Sequence, residues 1–124
     1  MYEVAHVGVV VKDIDASGKF YSQVLDCEID ERIETNEMTL LMLKSGNQTL
    51  ELIRYKNNNS NPISRGAGVI DHIAFFVPDM DAAVERLLKF NVSLLDKPKK
   101  LPDKIILFFG GPDNERLEFI QLLS

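Results

Sequence analysis

The segment Val4-Ala-His-Val-Gly-Val-Val-Val-Lys-Asp-Ile-Asp-Ala recurs as Ile70-Asp-His-Ile-Ala-Phe-Phe-Val-Pro-Asp-Met-Asp-Ala at a constant offset of 66 residues, which sets His6 on His72 and Asp13 on Asp79. Later in each half, Thr49-Leu-Glu-Leu-Ile matches Arg116-Leu-Glu-Phe-Ile at an offset of 67, so Glu51 falls on Glu118. Self-similarity at a fixed spacing means that one supersecondary unit is used twice. Any fold for this chain must therefore be built from two copies of one unit. The copies run approximately over residues 3–55 and 69–123, joined by a linker at 56–68, in a single domain covering 1–124.

Periodicity predicts what that unit is. The β-branched run Val7 to Val11 reads as a strand, ended by Lys12 and Asp13. A helix follows, with Asp15 as its cap, Ile14 in the staple position, and Phe20, Tyr21, Val24 and Leu25 at helical spacing. Gly18 lowers the propensity of that helix. The second copy repeats the pattern with Asp81 as cap, Met80 as staple, and Val84, Leu87 and Leu88 on one stripe ending near Asn91. Strand-like runs come next: Glu28 to Ile33, Thr39 to Leu43 and Gln48 to Ile53 in the first copy, then Val92 to Leu95, Ile105 to Phe109 and Leu117 to Leu122 in the second. Each unit is thus βαβββ, and the fold class is α+β. Turn residues mark Ser45-Gly-Asn and Gly110-Gly-Pro-Asp-Asn as loops. The polar stretch Lys56-Asn-Asn-Asn-Ser-Asn-Pro lacks periodicity and is expected to be a mobile linker.

Bulk properties narrow the function classes. A chain of 124 residues with 45% hydrophobic content can bury a core as one domain. A net charge of −5 offers phosphate backbones no basic face, which argues against a nucleic-acid partner. Apolar stretches such as Ile105 to Phe109 are strand-length, far short of the roughly 20 residues of a membrane helix, so no membrane partner is expected. The start, Met-Tyr-Glu-Val, carries no signal-peptide pattern. The single cysteine, Cys27, cannot form an internal disulfide and has no nearby basic residue, which fits a structural or incidental residue in a reducing cytoplasm.

Strand alternation then indicates direction. In the first strand His6 shares a side with Val4, Gly8 and Val10, while Ala5, Val7, Val9 and Val11 turn to the helix. His72 shares its side with Ile70, Ala74 and Phe76; Glu51 lies opposite Leu50 and Leu52, and Glu118 opposite Leu117 and Phe119. All four point to the non-helix face. A carboxylate between Leu, Ile and Phe is costly to bury unless it is paired or bound to a cation. The only two histidines occupy equivalent positions, and so do the two glutamates. Two imidazoles and two carboxylates suit Zn, Ni, Co, Mn or Fe(II), and without thiolate the set does not choose among them. Phe75, Phe76, Phe108 and Phe109 are expected to build core and pocket wall. Arg54 and Arg65 flank the linker, where they can meet an anionic substrate or simply face solvent.

His6, Phe20-Tyr21, Glu51, Asp71-His72-Ile73-Ala74-Phe75 and Gly111-Pro-Asp-Asn-Glu-Arg-Leu-Glu118 resemble the motifs of the vicinal oxygen chelate superfamily, over nearly the whole chain. The resemblance implies paired βαβββ units forming a cupped mixed sheet with helices outside, the glyoxalase/bleomycin resistance/dioxygenase fold, and a homodimer. It implies one divalent metal (Ni, Zn, Co or Mn) held by His6, Glu51, His72 and Glu118. The ligand set is similar to that of glyoxalase I, a lactoylglutathione lyase, whereas epimerases of this superfamily usually carry Gln where Glu51 stands. The implied chemistry is proton transfer through a metal-bound enediolate, with Glu118, or else Glu51, moving the proton. Two glutathione-contacting positions of glyoxalase I carry Val10 and Tyr55 here, so the resemblance leaves open which thiol, if any, takes part. Asn61 to His72 resembles methylmalonyl-CoA epimerase, which makes a hemithioacetal or an acyl-CoA the implied small-molecule substrate. Non-catalytic ligand sequestration, as in bleomycin resistance proteins, is a third reading. Asn114 stands where the family commonly has Gly, a position that a left-handed turn permits.

Overall fold

The computed structural model describes residues 4–57, 67–68, 70 and 72–124. The chain divides into two compact units, Met1–Arg65 and Gly66–Ser124. Most of the linker reading, with Arg65 and Asp71, lies outside the described residues.

The first unit runs β1 (Val7–Val10), α1 (Ile14–Gln23), β2 (Glu28–Glu34), β3 (Met38–Ser45) and β4 (Gln48–Tyr55). Its strands lie side by side in the order β1-β4-β3-β2. The pairs β2/β3 and β3/β4 are antiparallel hairpins, whereas β1 pairs β4 in parallel with Gly8 opposite Glu51. A two-residue turn closes β3 to β4, and Gly46 takes the positive φ of 59° there that glycine tolerates without cost. Leu41, Leu43, Leu50 and Leu52 are buried, together with Val11, Ile14, Tyr21, Val24 and Cys27. Gly18, unfavourable for helix formation, is a packing residue: a Cβ there would stand 2.8 Å from Leu41 Cδ2.

The second unit repeats the plan with β5 (Ile73–Phe76), α2 (Met80–Lys89), β6 (Lys99–Lys100), β7 (Lys104–Gly110) and β8 (Arg116–Leu122). Strand order is β5-β8-β7-β6, again with a parallel first-to-last pair in which Ala74 stands opposite Glu118. Leu107, Phe109, Leu117 and Phe119 are buried here, as are Met80 and Leu87 of α2. Two four-stranded mixed sheets, each with one helix, give the expected βαβββ plan twice.

Three local expectations change. The caps are Asp13 and Asp79, not Asp15 and Asp81. Asp13 is extended at φ −130° and accepts from the Asp15 and Ala16 N–H groups at 3.0 Å, and Asp79 at φ −147° accepts from Asp81 N–H at 3.1 Å. Ile14 and Met80 are therefore the first helical residues and are buried, leaving Asp15 and Asp81 in the first turn, where negative charge is favourable. Leu88 is exposed, so the buried side of α2 runs through Met80 and Leu87 instead. Finally, Val92 to Leu95 is not a strand. Leu94 makes one isolated bridge to Phe109, and beyond Leu95 the Asp96 carboxylate caps Lys97 N–H at 2.7 Å ahead of Pro98, which has no N–H to give. The chain rejoins β7 only at β6.

The left-handed reading at Asn114 matches its φ of 63°, and Asn91 at φ 58° ends α2 with Val92 N–H bonded to Leu87 O at 2.9 Å. No helix among the described residues is long and apolar enough to cross a membrane.

Candidate functional site

In each unit the residue just before the first strand and the middle of the last strand are neighbours, because those strands pair in parallel. In the first unit His6 Nε2 stands 3.8 Å from Glu51 Oε1. Glu51 sits between the buried Leu50 and Leu52, and its carboxylate lies over β1, where Gly8 leaves the room: a Cβ at Gly8 would come within 3.7 Å of Glu51 Oε1. The His6 side chain remains about half open to solvent, at 43%.

The second unit holds the equivalent pair more closely. His72 Nε2 and Glu118 Oε1 are 3.1 Å apart, within hydrogen-bonding reach, and Glu118 is only 7% exposed. Phe108 lies across from Glu118 on β7, and its ring meets the His72 imidazole edge-to-face at 5.3 Å and 87°. The Arg116 guanidinium sits 4.1 Å from the centre of the same Phe108 ring. Neither the Phe108–His72 contact nor Arg116 is visible in the spacing of the four ligand candidates. The signal for Arg116 was its parity with Glu118, two residues on.

Each unit thus brings together one imidazole and one carboxylate. Among the described residues, no three His, Cys, Asp or Glu side chains converge as a metal-holding group. The donors nonetheless suit a divalent cation in kind: nitrogen and carboxylate oxygen are borderline-to-hard ligands, and a carboxylate as buried as Glu118 requires a cation or a proton donor beside it. One pair alone is too few, since structural and catalytic sites use three or four protein donors.

The other candidates do not join these pairs. Arg54 donates its Nε–H to the Lys12 carbonyl at 3.2 Å, in a cavity of about 340 Å³ lined also by Arg32, Asp13, Asp15 and Thr39. Arg32 there bridges Asp15 at 2.8 Å and Glu34 at 3.2 Å. Burial pushes the Cys27 thiol up, against the lowering hydrogen bond from Ser45, which keeps it protonated and unreactive.

The chain matches the Glyoxalase/Bleomycin resistance protein/Dioxygenase superfamily over residues 5–109. It is 33% identical over 125 residues to YwbC, an uncharacterized protein of Bacillus subtilis strain 168, covering 95% of this chain and 96% of that one. Lactoylglutathione lyase of Pseudomonas aeruginosa is 29% identical over 151 residues, covering 97% and 82%. The mitochondrial methylmalonyl-CoA epimerase of Homo sapiens is 27% identical over 103 residues, covering 77% of this chain and 58% of the epimerase. Among solved structures, a glyoxylase/bleomycin resistance protein/dioxygenase domain from Frankia sp. EAN1pec superposes with a TM-score of 0.84 at 25% identity, covering 100% and 94%. Proteins of this superfamily bind small-molecule substrates or ligands and typically a divalent metal.

Proposed function

Because the chain belongs to the glyoxalase/bleomycin resistance protein/dioxygenase superfamily, we propose that it is a cytoplasmic, metal-dependent lyase or isomerase of the glyoxalase I type, working as a homodimer. In this reading His6, Glu51, His72 and Glu118 hold one divalent ion, which is Ni, Zn, Co or Mn. The observation that carries it is the same imidazole–carboxylate pairing in both units, 3.8 Å in one and 3.1 Å in the other.

When bound, such an ion supplies the Lewis acidity that makes a C–H beside a carbonyl removable. The chain's own part is to orient the carbonyl substrate and to take and return the proton. Glu118 is the preferred base: its carboxylate is shielded from bulk water and flanked by the aromatic wall of Phe108, and Glu51 is the more open alternative. The epimerase relative supports a second substrate for the same chemistry, an acyl-CoA in place of a hemithioacetal.

Elemental analysis of the purified protein, followed by turnover of methylglyoxal hemithioacetals and deuterium exchange into methylmalonyl-CoA, tests this. One metal per chain and activity on one substrate class are expected, with Glu118→Gln keeping the metal and losing turnover. No metal after reconstitution would abandon the enzyme reading for a ligand-sequestering one, and an active Glu118→Gln would remove Glu118 as the base.

A further inference from the structure

Arg116 precedes Glu118 by two residues on β8, so the two side chains leave the same side of the strand about 7 Å apart along it. Its partner across the ladder is Gly110, which has no side chain, and nothing stands within 4 Å of where a Cβ would be. The guanidinium therefore leans diagonally onto Phe108, the residue opposite Glu118, and rests 4.1 Å from its ring centre. That ring also contacts His72. One phenyl group thus fixes both a candidate ligand and a permanent positive charge. A guanidinium lying on an aromatic ring keeps its N–H groups in a rigid planar fork suited to carboxylate or phosphate.

We infer that Arg116 is a specificity-determining residue that anchors an anionic group of the substrate, a carboxylate or a phosphate lying a few atoms beyond the oxygens that approach Glu118. The inference rests on the proposed metal chemistry of His72 and Glu118. It names the substrate class: a small carbonyl compound with an anionic tail, rather than a neutral one. Phe108 is a positioning residue in this scheme, acting through Arg116.

The test is calorimetric binding to the metal-loaded full chain, using three hydroxamates that share one chelating group. Acetohydroxamate has no anionic tail, succinic monohydroxamate carries a carboxylate, and phosphonoacetohydroxamate carries a phosphonate. The wild type should prefer at least one anionic probe over acetohydroxamate by about 10-fold or more, the size of a charge-assisted hydrogen bond. Whichever tail gains more identifies the anion. Arg116→Gln should abolish that preference while metal content and acetohydroxamate affinity stay unchanged. Arg116→Lys should restore part of it, and Phe108→Leu, which keeps the charge but removes its platform, should reduce it. Arg116 is exposed, so neither of its substitutions disturbs the core. Equal affinity for all three probes in the wild type, or an unchanged preference in Arg116→Gln, overturns the anchor and leaves the metal reading intact. A wild type that takes up no metal overturns both.

Discussion

His72 and Glu118 stand 3.1 Å apart at Nε2 and Oε1, whereas the equivalent atoms of His6 and Glu51 are 3.8 Å apart and more open to water. Repetition of sequence has produced two pairs of unequal tightness. Removal of the closer pair's members should therefore hurt more. In His72→Ala and Glu118→Ala, divalent-metal affinity should fall by more than the roughly 10–100-fold that a lost outer partner costs, and by more than in His6→Ala. Competition titration with a chromophoric chelator reads this directly, and a reversed order would contradict the asymmetry.

Gly8 controls where the Glu51 carboxylate can lie. A Cβ at Gly8 meets Ile53 Cδ1 at 3.1 Å and Glu51 Oε1 at 3.7 Å, and the branched side chain of Gly8→Val would occupy the space over β1. That variant should weaken metal binding more than it lowers Tm, because Gly8 is exposed and the apolar side chain it crowds, Ile53, is only half-buried. Parallel thermal melts and chelator titrations separate the two effects; a large drop in Tm with metal affinity preserved would mean that Gly8 serves the strand and not the carboxylate.

Ser17 is wholly buried in α1, and its hydroxyl lacks a hydrogen-bond partner among the described residues. A buried polar group left unsatisfied costs about 1–3 kcal/mol. Ser17→Ala is accordingly expected to leave stability unchanged or raise it by about 1 kcal/mol, measured by urea denaturation. A loss of that size would reveal a partner for the hydroxyl.

Glu34 accepts from Lys56 Nζ at 3.0 Å, Thr39 Oγ1 at 3.0 Å and Arg32 Nε at 3.2 Å, and Lys56 foremost holds its carboxyl below the usual carboxylate range. A carboxyl with a depressed folded pKa stabilises the fold above its unfolded value of about 4.3, and that contribution disappears as pH falls through the folded value. Denaturation midpoints collected downward from neutral pH should decline in this acid window, and Glu34→Gln should flatten the decline. Identical slopes in the two proteins would assign the acid sensitivity to other carboxyls.

The repeat made the architecture readable, because two aligned copies constrain each other's elements. Caps were displaced by one residue pair, since each copy offers Asp-x-Asp and only backbone dihedrals select the first aspartate. β6 was invisible for a different reason. Lys99 and Lys100 carry no apolar pattern, and they pair with β7 only because the chain turns at Asp96 to Pro98. Alternation along β4 and β8 told which side Glu51 and Glu118 take, but the separations to His6 and His72 depend on a parallel first-to-last pairing that no local pattern contains. The stacking of Arg116 on Phe108 was equally hidden, as it needs the missing side chain at Gly110 across the ladder.

The parallel pairing of each unit's outermost strand with its last one joins residues from the two ends of that unit's chain. A His–Glu pair therefore cannot exist while a unit is half made. During synthesis the first pair can close only after β4 has emerged, and the second only after β8 has. Loop-closure entropy makes these the costliest contacts to form early in folding. Nascent or partly unfolded chains would thus hold no ready His–Glu pair, and the metal capture proposed above would be an event of the completed fold.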